Sequence, residues 1–248
     1  MDEFIKAQIA NLEIGRRNRF FEHLIPAADA AYRAAISCVP RDATPMFGRI
    51  TLIGHKALLS AAVLIAKLLP EDSVGITRRA LEAARFALAM KINPENAFEW
   101  TAYQQRHDRW LQRQQGQKPQ PFTPHFIDVR DDAQYDEIGR LLGILSDASV
   151  HFTPEFYTSL NWQVRRTSET DGEIHLEYFQ NSVRDVERHF MTLGVAHTTI
   201  LMVLDRCYDG RFQQVDEAKR CMDEFWRIGK DLSEVFKRDH DLEGGRAW

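Results

Sequence analysis

The sequence has few cysteines and lacks the spacings that redox and metal chemistry use. Its three cysteines, Cys38, Cys207 and Cys221, are scattered along the chain and form no CxxC pair. An odd, scattered set is no disulfide framework, so we expect a protein of the reducing cytoplasm. HExxH and paired ExxH sets are also absent, so we predict no metal and no cofactor.

Several large enzyme classes are excluded by missing loops. The sequence contains no GxGxxG, Walker loop or GxSxG, which argues against dinucleotide binding, P-loop chemistry and serine hydrolysis. A net charge of −4 over 248 residues gives no overall field for nucleic acid or anionic lipid. Arginine outnumbers lysine 24 to 8, which leaves many planar donors for carboxylate or phosphate.

The longest apolar run covers residues 50–69. His55, Lys56 and Lys67 interrupt it, and Arg49 precedes it. We therefore predict a core helix rather than a membrane span and expect no membrane partner. The N-terminal residues are acidic and amphipathic, which excludes a secretory signal.

Helix signals dominate the chain and predict an all-α fold, a bundle of seven to nine helices. We expect a single domain over 1–240 and a disordered tail at 241–248. Two apolar stretches around Asp171-Gly172 predict one small β-hairpin near 160–180. Asp72 or Ser73 is the expected cap of the fourth helix, and residues 114–126 the clearest loop. The predicted helices span about 2–14, 18–37, 45–69, 72–91, 94–115, 131–151, 181–208 and 211–237.

The predicted helix at 181–208 carries an apolar seam. The seam consists of residues at helical spacing: Val183, Val186, Phe190, Leu193, His197, Ile200, Leu204 and Cys207. Phe190, Leu193 and Ile200 could supply a homodimer face or could pack within one chain. His197 is expected to be a hydrogen-bonded core histidine rather than a ligand.

The helix at 131–151 carries few charges in an otherwise apolar or small sequence. Arg140, Asp147 and His151 share a stripe with Ile144 at spacings of four, three and four. Gly139 and Gly143 make the opposite side thin, which favours close approach of a second helix. A charge at such a position needs a partner, because unpaired burial costs several kcal/mol.

The natural partner is the alanine-rich fourth helix. Arg78, Glu82 and Arg85 share a stripe there, so the two stripes would form one network with Arg140, Asp147 and His151. In the functional interpretation Asp147 orients His151 as a catalytic base, while the arginines and Glu82 form an anion-binding site. The alternatives are a structural salt-bridge lattice and a solvated face.

Two short motifs in these helices resemble a bacterial all-helical family of unknown function. They are R-x-x-E, here Arg79 to Glu82, and S-D-x-x-x-H, here Ser146 and Asp147 to His151. The resemblance spans about residues 50–210. It implies an all-helical fold and a polar cluster at these positions, which adds Arg79 to the candidate ligand-binding residues.

A rival motif, RDVERH at 184–189, is similar to the R-polar-x-x-x-H motif of the HEPN ribonucleases. The resemblance implies that Arg184 binds the scissile phosphate of RNA. It also implies that His189 assists attack by the 2′-hydroxyl on that phosphate without a metal ion. Such an enzyme would act in stress or phage defence. Five residues rotate about 140° on a regular helix, so Arg184 and His189 would not share a face. The alternative is that Arg184 and His189 are exposed polar side chains on the helix surface and have no catalytic role.

Overall fold

Helices account for most of the described residues, which confirms the predicted all-α bundle. The computed structural model describes residues 2–40, 45–99, 126–149, 162–166, 172–176 and 183–240, with the backbone alone for 147–149 and both strands. In chain order the helices are α1 (Asp2–Gly15), a π-helical turn (Phe20–Leu24), α2 (Ile25–Ser37), α3 (Pro45–Ala66), α4 (Pro70–Ile92), α5 (Ala133–Ser149), α6 (Val183–Cys207), α7 (Arg211–Gln214) and α8 (Asp216–Asp239).

The structure differs from the predicted helices in three places. The helix α4 begins at Pro70, ahead of Asp72 and Ser73, because a proline in the first turn loses no helical hydrogen bond. The helix expected over 18–37 contains the π-helical turn. The helix expected over 211–237 is divided because Val215 takes extended backbone angles, φ −106° and ψ 113°.

Asp132 caps the N-terminus of α5, close to the predicted start of that helix. Its Oδ1 accepts hydrogen bonds from the backbone N–H groups of Gln134 (3.1 Å) and Tyr135 (2.9 Å). These donors have no partner inside the helix, so the carboxylate stabilises the first turn of α5. The predicted loop at 114–126, the rest of the helix expected over 94–115 beyond residue 99, and the tail at 241–248 lie outside the described residues.

The core is centred on α4, which packs against α3, α5 and α6, while α2 packs against α3 and α8. The largest side chains with almost no exposed surface include Tyr32, Phe20 and Phe190. The rings of Phe20 and Phe190 stack with their centroids 6.5 Å apart. The α6 seam is therefore buried within the chain, except for Val183, which is 64% exposed.

Among the described residues, α3 alone is long and apolar enough to cross a membrane, and half of that apolar stretch is buried. Its buried side approaches α2 closely at Gly54. A Cβ atom on Gly54 would lie 2.9 Å from the Tyr32 hydroxyl, so the absence of a side chain lets the tyrosine fit. This packing agrees with the predicted core helix.

Two short strands lie between α5 and α6. They are β1 (Trp162–Arg166) and β2 (Gly172–Leu176), which pair antiparallel with Val164 opposite Ile174. Their backbone hydrogen bonds satisfy donors and acceptors that a loop would leave to solvent.

Candidate functional site

The predicted pairing of the two polar helices is confirmed at Arg85. The α4 and α5 helices are in contact, and the Arg85 guanidinium lies 4.1 Å from the centre of the Tyr135 ring. A Cβ atom on Gly139 would lie 3.2 Å from Arg85 Nη2. The glycine in α5 therefore makes room for the guanidinium group, and the aromatic ring fixes its plane.

The remaining candidates on α4 are partly open to solvent. Arg78 Nη2 lies 3.2 Å from Glu82 Oε1, a pair one helical turn apart whose side chains are 27% and 49% exposed. Arg79 is exposed. A pair with this exposure stabilises the fold only weakly, so these residues form a charged surface rather than a buried lattice.

Within the described part of the chain, Arg140 pairs along its own helix rather than with a residue of α4. Its Nε and Nη2 donate to the two carboxylate oxygens of Glu137, at 2.9 and 2.6 Å, and the side chain is 59% exposed. The physical reason is proximity, because Glu137 is one turn away on the same helix. Arg140 also lines a small cavity of about 80 Å³ together with Leu81 and Ile144.

This region contains two of the four buried side-chain nitrogens that have no hydrogen-bond partner among the described residues; the other two are Arg19 Nε and His197 Nε2. The Nε atoms of Arg78 and Arg85 are buried, and within the described part of the chain neither has a hydrogen-bond acceptor. A buried donor without an acceptor costs about 1–3 kcal/mol. We call Arg78, Arg79, Glu82, Arg85 and Arg140 the arginine face. Its partly exposed guanidinium groups are donors that an anion could bind.

The predicted base lies beyond what the structure describes. Asp147 belongs to the α5 backbone, but its side chain lies outside the described residues, as does the whole of His151. The orientation of His151 by Asp147 therefore stays a prediction.

The residues of the rival motif are separated as helix geometry requires. Arg184 is exposed, whereas His189 is half-buried. The His189 Nδ1–H donates to the Asp185 carbonyl oxygen at 2.7 Å. Burial lowers the pKa of His189. The ring is therefore neutral at neutral pH, with Nε2 as its basic nitrogen.

A polar cluster that the sequence did not predict joins α2, α3 and α6. The Tyr32 hydroxyl and His197 Nδ1 are 2.8 Å apart, and both side chains are fully buried. Burial lowers the pKa of His197 to about 3, so the ring is neutral. The expectation of a hydrogen-bonded core histidine is thus confirmed, although the second ring nitrogen has no described partner.

The same cluster includes an aspartate beside a histidine. His55 Nε2 lies 2.6 Å from Asp29 Oδ1, and Arg33 Nε donates to Asp29 Oδ2 at 2.8 Å. Burial would raise the pKa of Asp29, but the hydrogen bonds from His55 and Arg33 outweigh it and lower that pKa. The four-residue spacing of Asp29 and Arg33 was the only sequence signal, because His55 comes from another helix.

A second unpredicted cluster lies where α6 meets both ends of the described chain. Glu187 Oε2 accepts from Arg19 Nη2 at 2.9 Å and lies 3.2 Å from His240 Nε2. Arg19 Nη1 also donates to Asp239 Oδ2 at 2.7 Å. We call these four residues the clasp. Their separation in sequence, up to 220 residues, explains why no local pattern indicated them.

Comparisons with protein-family models, with curated proteins and with solved structures found no significant match. The function is therefore argued from the chemistry of these clusters.

Proposed function

We propose that the arginine face binds an anionic ligand. The observation that supports this proposal is the pair of buried Nε donors on Arg78 and Arg85, which have no acceptor in the described chain. A carboxylate or phosphate oxygen would accept from these groups and remove the cost of leaving them unpaired. The resemblance through Arg79 and Glu82 to a bacterial family of unknown function points to the same face.

Arg85 is the best-prepared donor of the face. Because its guanidinium stacks on Tyr135 and lies against Gly139, its orientation is set before any ligand arrives. A planar guanidinium held in this way can present two parallel N–H groups to one carboxylate or phosphate.

The roles of Asp147 and His151 form the catalytic part of this proposal. His151 would act as a base oriented by Asp147, with the bound anion held by the arginines. If no reaction accompanies binding, the same arginines would instead hold an acidic segment of a partner protein.

Calorimetric titration with inorganic pyrophosphate tests the proposal. We expect the wild-type protein to bind, with an affinity that falls as salt rises. Arg85→Gln and Arg78→Gln should each lower the affinity at least about tenfold. The matched control is Arg227→Gln, which removes an exposed arginine paired with Glu224 and Asp231 on α8. Equal pyrophosphate affinity in all four proteins would reject the arginine face.

A metal-independent endoribonuclease is the second candidate function. His189 supports it, because the hydrogen bond to Asp185 fixes the ring tautomer and the lowered pKa keeps the ring neutral. A neutral histidine with a basic Nε2 can assist attack by a 2′-hydroxyl. The exposed Arg184 would need a second copy of the chain to meet it.

Incubation with single-stranded RNA in EDTA separates the two candidates. Cleavage by wild type that is lost in Arg184→Ala and in His189→Ala would support the ribonuclease. An intact RNA after incubation with wild type would reject it. Because neither Arg184 nor His189 belongs to the arginine face, pyrophosphate binding should survive both substitutions.

A homodimer through α6 remains part of the ribonuclease proposal. Its face cannot be Phe190, Leu193 and Ile200, because these are buried within the chain. The exposed apolar residues of α6 are Val183, Val195 and Met202, which leaves them for such a contact. The cysteines of the described chain are free, which supports our proposal of a cytoplasmic location.

A further inference from the structure

A pocket separate from the arginine face opens between α6 and α8. Its volume is about 310 Å³, and its inner surface is formed by buried apolar side chains that include Phe20, Leu24 and Phe225. Trp226, which is 60% exposed, stands at the rim. Pockets of this volume are at the lower end of those that hold small organic ligands.

Two glycines create the opening, for different reasons. A Cβ atom on Gly194 would lie 3.0 Å from Leu24 Cδ2, so the packing of Leu24 requires that glycine. A Cβ atom on Gly229 would lie 3.7 Å from Leu24 Cδ1, which is an ordinary contact. Packing therefore does not require glycine at 229, although glycine weakens a helix. The absence of a side chain at Gly229 widens the pocket.

The rim of the pocket carries a single positive charge among the described residues that line it. Lys230 is the only charged residue that lines the pocket, and its ammonium lies 5.9 Å from the centre of the Trp226 ring. Among the described residues this ammonium forms no ion pair with a carboxylate. A ligand with an anionic group at the mouth would supply that missing charge.

Two of the three hydroxyl groups that line the pocket, those of Thr198 and Thr199, cannot replace Lys230 as donors. Thr198 Oγ1 donates to the Gly194 carbonyl oxygen at 2.9 Å, and Thr199 Oγ1 donates to the Val195 carbonyl oxygen at 3.0 Å. With their protons committed to the helix, both hydroxyls can only accept from a ligand. The Ser233 hydroxyl also lines the pocket and remains able to donate, so an anion at the rim would be held by the Lys230 charge with Ser233 as a neutral donor.

We propose that this pocket binds a medium-chain carboxylate, with its alkyl chain inside and its carboxylate beside Lys230. The volume accommodates roughly ten water-sized groups at about 30 Å³ each, which fits a chain of about eight carbons. The apolar wall takes the chain, and the single cation selects the charge of the head group. This site is independent of the anion site on α4.

Calorimetry with octanoate, octanol and octylammonium tests the proposal. In the wild-type protein octanoate should bind about fivefold more tightly than octanol, and octylammonium more weakly than either. Lys230→Gln should remove the advantage of octanoate while octanol binding stays unchanged. The matched control is Lys219→Gln on the same helix, which should retain the advantage. Equal binding of octanoate and octylammonium by wild type would overturn the assignment of the head group.

Substitution of Gly229 tests the location. Gly229→Leu fills the pocket and should abolish octanoate binding. Gly229→Ala adds one methyl group at an ordinary contact distance, keeps the fold and should weaken octanoate binding several-fold. Unfolding curves establish that each variant is folded. Unchanged octanoate affinity in folded Gly229→Ala and Gly229→Leu, or no octanoate binding by wild type, would overturn the proposal.

Discussion

The clasp and the arginine face both place arginine beside carboxylate, but they differ in how the carboxylate is held. In the clasp the Glu187 side chain is 6% exposed and meets both Arg19 and His240, while Arg19 also pairs with Asp239. On the arginine face Glu82 is 49% exposed and the arginines outnumber the acids. Arg19, Arg78 and Arg85 each have a buried Nε without an acceptor, so the difference lies in the carboxylates. The clasp satisfies a buried carboxylate within the chain, whereas the arginine face has four arginines and one half-exposed glutamate.

The difference separates stability from binding. A buried charge whose partners all come from the chain holds the fold, because removing one partner leaves the others uncompensated. A half-exposed arginine with a buried, unpaired N–H contributes little to stability and is available to a ligand. Substitutions in the clasp should therefore act on unfolding, and substitutions on the arginine face should act on binding.

The largest effect is expected from Glu187→Ala. This change leaves Arg19 Nη2 and His240 Nε2 without their shared acceptor and should lower the free energy of unfolding by about 3 kcal/mol. Urea denaturation measures it. The matched control is Glu224→Ala, whose carboxylate is 53% exposed beside Arg227. The control should change the free energy by less than about 0.5 kcal/mol, and similar values for both variants would contradict the distinction.

Lowering the pH should destabilise the protein through His197 before it affects the clasp. The folded-state pKa of His197, about 3, lies below its ordinary value of 6.5, so between these values the unfolded chain binds the proton and the folded chain does not. The stability is present above pH 6.5 and is lost as the pH falls. Between pH 7 and pH 5 the loss should be about 2 kcal/mol.

The Asp239 carboxylate of the clasp responds at lower pH than His197. The hydrogen bond from Arg19 lowers the pKa of Asp239, so this carboxylate stays ionised at pH 5. His189, whose pKa is also lowered, adds a loss of the same sign as His197. The contribution of His197 is the difference between wild type and His197→Gln in the loss of unfolding free energy from pH 7 to pH 5. An equal loss of unfolding free energy in both proteins between pH 7 and pH 5 would show that His197 is not responsible.

Arg85→Met should leave stability almost unchanged, by contrast with Glu187→Ala. Methionine keeps an apolar stem and removes an unpaired buried N–H, which offsets the lost contact with the Tyr135 ring. We expect a change in unfolding free energy below about 1 kcal/mol, measured in urea. A loss as large as that of Glu187→Ala would mean that Arg85 is structural.

The smallest expected effect is the difference in stability between alanine substitutions at two glycines of α5, Gly139 and Gly143. Alanine at either position should gain up to about 1 kcal/mol of helix propensity. A Cβ atom on Gly139 would lie 3.2 Å from Arg85 Nη2, whereas one on Gly143 would meet nothing within 4 Å. Gly143→Ala should therefore stabilise the protein by about 0.5 kcal/mol more than Gly139→Ala. Thermal unfolding of both variants measures the difference, and identical melting temperatures would mean that Arg85 moves freely.

The sequence predicted contacts that depend on local spacing. Apolar periodicity identified the buried seam of α6, and the thin side of α5 indicated its approach to α4. Among the described residues Arg140 pairs with Glu137, an intrahelical partner that competes with any partner across the interface, and its predicted place in the network stays a prediction. The paired groups of Asp29 and His55 could not be predicted, because their meeting depends on how α2 and α3 pack. Periodicity determines which face of a helix is buried, but not which residue of another helix meets it.

The clasp also has a consequence for the order of folding. Arg19 and Asp239 are 220 residues apart, so their contact closes only after nearly the whole described chain has emerged during synthesis. Until α8 is present, the Glu187 carboxylate lacks His240, one of the two partners that compensate for its burial. A chain interrupted before α8 would therefore pack α6 on α4 but leave Glu187 without His240 and Arg19 without Asp239, so the last helix completes the clasp.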